Sequence, residues 1–228
     1  MNLSKYISIN NYNFGEIISL FIKDFYIENN FTNILFVRTC TTGAWLDTLL
    51  LEKEDINRIL YYTDKIKKPT TSHHSTTIVH SNKLENQLKS LNKTFDLICI
   101  DTWHEYQSSI YDLKILSSFL NESGTLISHD CYPWNKKVAS PTYISDKWCG
   151  ETYIAFVEFA YNNPNMYYSI LNIDTGIGII SKKQFDFLSN TLNREKQKQL
   201  LFLYKNSKDY YTYFLENSKD IINEKSNI

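Results

Sequence analysis

From residue 33 onward, short runs of strand formers alternate with segments of helical periodicity, and this order constrains the fold more than any other feature of the chain. Asn33 to Thr39 (NILFVRT) is an apolar run that breaks at Thr41-Thr42-Gly43 before an apolar helix over Ala44 to Leu51. Arg58 to Thr63 (RILYYT) repeats the strand pattern and ends at Asp64, and Thr76 to His80 is a third short strand. After a short helix over Leu84 to Leu91, Phe95 to Ile100 (FDLICI) forms a continuous apolar strand of the kind buried on both faces of a parallel sheet. Asp112 to Leu120 reads as a helix, and Thr125 to Ser128 as a strand ending at His129-Asp130. A helix over Glu151 to Tyr161 precedes two strands, Tyr167 to Ile173 and Ile177 to Ser181, joined through the turn sequence Asp174-Thr175-Gly176.

Regular alternation of this kind predicts a Rossmann-like α/β fold: a parallel sheet with an antiparallel edge strand and helices on both faces. Phe14 to Tyr26, with apolar residues at helical spacing, is an entry helix. One domain over residues 1–182 and a C-terminal helical extension over 183–228 account for the length. The extension carries an apolar stripe that predicts packing or a homodimer contact. With 24 basic and 25 acidic residues, the chain has no net field to hold nucleic acid or an anionic membrane. No run approaches the roughly 20 apolar residues that span a bilayer, and the start shows no basic segment followed by an apolar run, so a soluble protein made without a signal peptide is expected. Its four cysteines (Cys40, Cys99, Cys131, Cys149) lie far apart, which suggests neither a disulfide framework nor a zinc knuckle. A cytoplasmic protein is the expectation.

In open α/β sheets, ligands gather at the carboxyl ends of the strands. Those ends are Thr39, Asp64, His80-Ser81, Asp101 and His129-Asp130. Asp101 with His104, and His129 with Asp130, follow what the pattern makes neighbouring strands, so four ionisable groups converge on one edge. Were this edge to hold a hard divalent cation such as Mg²⁺, its preference for oxygen would make Asp101 and Asp130 the candidate ligands, with His129 possible for a softer metal. His104 is the expected general base, because a neutral imidazole accepts a proton near neutral pH. The adjacent histidines His73 and His74 sit in a polar loop and are given no role. Trp103, Tyr106, Tyr132, Trp134 and Trp148 offer flat faces for sugar or adenine rings, or lid packing. Lys136-Lys137, in the long loop from Cys131 to Cys149, could meet a diphosphate carrier or be ordinary solvated surface.

Phe95 to Asp130 (FDLICIDTWHEYQSSIYDLKILSSFLNESGTLISHD) resembles the central stretch of class I S-adenosylmethionine-dependent methyltransferases. Trp148-Cys149-Gly150-Glu151 and Asp174-Thr175-Gly176-Ile177-Gly178 are similar to segments of a subgroup often associated with glycan biosynthesis. The resemblance covers about residues 12 to 182 and implies transfer of a methyl group to a hydroxyl of a small-molecule acceptor, a sugar or nucleotide sugar. It implies a cofactor site at Thr39, Thr41, Gly43, Asp64, Ser81, Asp101 and Thr102, with Asp64 accepting the ribose hydroxyls. It implies catalysis by His104, His129 and Asp130. Val37 to Gly43 departs from the family's acidic, glycine-rich turn and keeps only the last glycine. That departure motivates two competing readings, a catalytically silent binding module and a methyltransferase for another small metabolite.

Overall fold

A computed structural model of the chain describes residues 3–7, 16–39, 46, 56–66, 68–69, 76–144 and 147–225. Helices α1 (Ser4–Ile7) and α2 (Glu16–Asn29) lead into strands β1 (Ile34–Thr39), β2 (Ile56–Tyr62) and β3 (Thr76–His80). A short 3₁₀ turn and α3 (Leu84–Ser90) precede β4 (Phe95–Asp101), α4 (Tyr106–Ser118) and β5 (Leu120–Ser128). The chain continues through α5 (Thr152–Asn162), β6 (Tyr167–Leu171), β7 (Ile177–Ser181), α6 (Arg194–Lys205), α7 (Tyr210–Ile222) and β8 (Glu224–Lys225). Of the sequence expectations, Thr41, Gly43, His73, His74 and most of the helix over Ala44 to Leu51 lie outside the described residues.

The strands form one sheet in the order β3-β2-β1-β4-β5-β7-β6-β8. β1 to β5 pair in parallel, and β7 runs antiparallel to both β5 and β6. This is the Rossmann-like α/β architecture that the alternation implies. Each central strand buries both faces, as its apolar run requires. On β1, Leu35 and Val37 join the core beneath α3 to α7, whereas Ile34 and Phe36 join a second core with α2. In α2, Ile18, Phe21, Ile22 and Phe25 follow the i, i+3, i+4, i+7 spacing that buries one helical face.

Two boundaries differ from the sequence reading for local reasons. α4 begins at Tyr106, six residues before the expected Asp112, because its first turn (YQSS) carries little of the apolar signal used to find it. β5 begins at Leu120 and crosses the polar stretch Asn121-Glu122-Ser123, where the pairing with β4 shifts register between Phe95 and Leu97. A Cβ at Gly124 would lie 2.8 Å from the Phe95 carbonyl oxygen, so glycine permits this close approach of two strands.

The C-terminal segment supplies more than helices. Leu200, Phe214, Ile221 and Ile222 are fully buried in the larger core, and β8 extends the sheet beside β6, with Glu224 opposite Ile170. Asn223, in the left-handed conformation (φ 55°), turns the chain from α7 into that strand. No helix among the described residues is long and apolar enough to cross a membrane.

Candidate active site

The parallel register sets the site. Ile100 stands opposite Ser128, so Asp101 ends β4 where His129 and Asp130 leave β5. On the other side of β5, Ser128 faces Gly178 of β7, which brings the turn at Asp174-Thr175 to the same edge. Backbone bonds from Cys131 to the Gly176 carbonyl (3.1 Å) and from Tyr132 to the Thr175 carbonyl (2.7 Å) lock the two segments together. Asp130 itself is left-handed (φ 60°), a conformation that aspartate tolerates better than most residues and that occurs where function sets the geometry.

All four residues named from sequence converge. The Asp101 carboxylate lies 3.1 Å from His104 Nε2 and 2.9 Å from His129 Nδ1. Asp130 approaches the same two nitrogens at 3.1 Å and 3.3 Å. Asp101, His104 and Asp130 are each no more than 5% exposed. Burial disfavours charge on Asp101, but the His129 charge and hydrogen bonds with His104 and His129 hold its carboxyl below the ordinary range. Asp130 is lowered likewise, with His129 and His104 overcoming burial. Both imidazoles move the other way: burial would lower them, yet the Asp130 and Asp101 carboxylates raise His104 and raise His129 further.

The two buried carboxylates thus favour the protonated form of His104. Its orientation is fixed from behind: the Trp148 carbonyl accepts a hydrogen bond from Nδ1 at 2.5 Å, which leaves Nε2 facing the carboxylates. Gly150 (φ 56°) makes that turn possible, since a Cβ there would collide with the His104 backbone carbonyl. The next amide, Glu151, donates to the same carbonyl at 2.8 Å.

The sequence reading missed the partners of His129. Its Nε2 lies 3.1 Å from Asp174 and 2.8 Å from the Thr175 hydroxyl, residues read only as a turn. The DTG segment was visible, but nothing in its spacing tied it to β5. Another missed pair is Asp112 and Tyr61: the buried carboxyl, raised to about 7 by burial, accepts a 2.5 Å hydrogen bond from the Tyr61 hydroxyl. Tyr61 in turn accepts from the Trp103 amide at 3.1 Å, bracing the loop that carries His104.

The expected cofactor residues lie along the same edge. Thr39 ends β1 fully buried, and Thr102 is buried after β4. The Arg38 guanidinium donates to the Thr39 carbonyl at 2.7 Å. Asp64 follows β2, its side chain 96% exposed with one oxygen 3.1 Å from His80. Ser81 follows β3 and lines a cavity of about 530 Å³ with Tyr61, Asn82, Gln107, Tyr111 and Asp112. Among the aromatics, Trp103 and Trp148 meet at 4.7 Å beside His104, with Tyr143 stacked on Trp103 at 5.3 Å. Trp134 is exposed instead, while Tyr106 packs on Tyr204 and Tyr132 on Phe214.

Residues 20–131 match the family model of a methyltransferase domain. Solved structures share the fold. An assigned caffeoyl-CoA O-methyltransferase from Staphylococcus aureus superposes with a TM-score of 0.53 at 19% identity, over 79% of this chain and 88% of that one. The S-adenosylhomocysteine-bound methyltransferase PaMTH1 of Podospora anserina gives 0.51 at 15% identity, over 80% and 88%. None of the curated proteins matches the chain in sequence. Domain match and architecture agree: residues 20–131 match a methyltransferase domain, and the chain shares the fold of these solved structures.

Proposed function

We propose that the chain transfers the methyl group of S-adenosylmethionine to a hydroxyl of a sugar or nucleotide sugar, with a divalent cation beside a histidine base. The observation that carries this reading is the buried cluster of Asp101, His104, His129 and Asp130 at the tips of β4 and β5. A sulfonium methyl is already activated, whereas an alkyl hydroxyl is a weak nucleophile until it loses its proton. The demand on the protein is therefore proton removal and alignment, at a place that excludes water.

The donor set fits a hard cation. One ligand atom each from Asp101, His104 and Asp130 lies within 4.8 Å of the others, and the two carboxyls are held in their anionic form. Asp101 and Asp130 would hold Mg²⁺ or a similar ion, which supplies Lewis acidity to a bound hydroxyl. His104 would serve as the base beside them. Nε2, kept in line by the Trp148 carbonyl, then takes the hydroxyl proton. His129, anchored by Asp174 and Thr175, positions the Asp101 carboxylate from the far side. Thr39, Asp64, Ser81 and Thr102 place the cofactor at the neighbouring strand tips, with Asp64 as the acceptor for its ribose hydroxyls.

Trp103, Trp148 and Tyr143 beside His104 favour a sugar ring, whose C–H faces pack on aromatic surfaces. The test is methyl transfer to a panel of nucleotide sugars and, in parallel, catechols and other small hydroxyl compounds, with Mg²⁺ and with chelator. Turnover on a nucleotide sugar that chelator abolishes supports the reading, and turnover confined to the other acceptors refutes the acceptor assignment.

A further inference from the structure

Away from the ionisable cluster, a second cavity of about 340 Å³ lies between the loop after β5 and the C-terminal helices. Lys136 and Lys137 reach it from the loop, and Lys208 from the residues that lead into α7. Three lysines from distant parts of the sequence thus line one hollow. The lone carboxylate among the lining residues is Asp209, which lies 3.7 Å from Lys136 and caps α7 by accepting from the Thr212 amide. Among the described residues, no carboxylate stands within ion-pair distance of Lys137 or Lys208. The walls are different in kind: Pro141, Ile144, Tyr210 and Tyr211 make them apolar and flat. Tyr153 also lines it, and among the described residues its buried hydroxyl has no hydrogen-bond partner.

The cavity shares its loop with the active site. Ser140 lines the cavity, and its carbonyl accepts from the Trp148 indole at 2.7 Å. The Val138 carbonyl accepts from the Cys149 and Gly150 amides, in the turn whose Trp148 carbonyl orients His104. From the other side, the Tyr211 hydroxyl donates to the Pro133 carbonyl at 3.0 Å, so α7 holds the loop in place.

We propose that this cavity binds the diphosphate of a nucleoside-diphosphate-linked acceptor: the lysines take the phosphates and the aromatic walls take an attached ring. Lysine ammonium groups are effective point-charge partners for phosphate, and two of the three have no ion-paired carboxylate among the described residues. The proposal rests on the acceptor reading above and narrows it from sugars in general to phosphorylated carriers. It also gives the C-terminal segment a part in acceptor recognition, since Lys208, Tyr210 and Tyr211 all belong to it.

The experiment is calorimetric titration of the full chain with uridine diphosphate, inorganic pyrophosphate and uridine, without cofactor or metal. Wild type is compared with the triple variant Lys136→Ala, Lys137→Ala, Lys208→Ala, and S-adenosylhomocysteine titrations check that the variant is folded. The expected result is saturable binding of uridine diphosphate and of pyrophosphate, weakened at least tenfold in the variant, with no binding of uridine and unchanged S-adenosylhomocysteine affinity. Failure of wild type to bind either phosphate compound, or equal binding by the variant, would overturn the proposal. Phosphate binding without methyl transfer to any nucleotide sugar would leave this site standing and remove the acceptor reading instead.

Discussion

The two ends of the sheet's carboxyl edge are built differently. At the tips of β4 and β5, carboxylates and imidazoles pair among themselves, buried and held at 2.9 to 3.3 Å. At the tips of β2 and β3, Asp64 stands almost wholly in solvent with His80 for company. Among the described residues, the first end is a closed network of paired groups, whereas the second presents a carboxylate open to solvent. Chemistry that depends on alignment belongs at the organised end, and binding of a polar cofactor suits the open one.

Substitutions can break this contrast, and the largest loss is expected from Asp101→Asn. It removes the anion that both histidines face, and turnover should fall by at least about 100-fold, the scale of general acid–base contributions, with Mg²⁺ affinity falling too. Steady-state kinetics across a Mg²⁺ titration measures both. His104→Gln should cost turnover on a similar scale, about 100-fold, but leave Mg²⁺ affinity within a few-fold if the two carboxylates suffice as ligands. A parallel loss of metal affinity would make His104 a ligand and not the base. At the open end, Asp64→Ala should weaken S-adenosylhomocysteine binding by about tenfold, the worth of one or two charge-assisted hydrogen bonds to an exposed group, and leave the turnover of saturated enzyme nearly intact.

The smallest effect sharpens the comparison from behind the site. Burial raises the Asp112 carboxyl to about 7, above its unfolded value, so folding favours its neutral form. The group therefore costs nothing below about pH 4, and its cost grows as pH rises toward 7 and levels off beyond it. Asp112→Asn keeps an acceptor for the Tyr61 hydroxyl and should flatten the decline in melting temperature between pH 5 and 8. An unchanged pH profile would show that the ionised carboxylate is accommodated at no cost.

How legible these regions were follows from the physics of each. β4 could be read directly because a doubly buried strand must be apolar throughout, and Thr76–His80 and Ile177–Ser181 were bounded as expected. The convergence of Asp101, His104, His129 and Asp130 followed from strand order alone, since parallel neighbours end on the same edge. What the sequence hid were partners made by pairing across long separations. Asp174 reaches His129 only because β7 pairs antiparallel beside β5, and Tyr61 meets Asp112 across a separation of 51 residues. Likewise, the charge state of His104 depends on two carboxylates that meet in space, whereas its sequence neighbours suggest an ordinary imidazole. The C-terminal stripe announced packing, yet a two-residue strand such as Glu224–Lys225 carries no periodicity to read.

Calorimetric titration of S-adenosylmethionine and S-adenosylhomocysteine, with and without Mg²⁺, on wild type and Asp64→Ala tests the central claim most directly. The account predicts saturable binding by wild type that the substitution weakens. Correctly folded wild type that binds neither compound, with or without the metal, would contradict it and leave a silent binding module in its place.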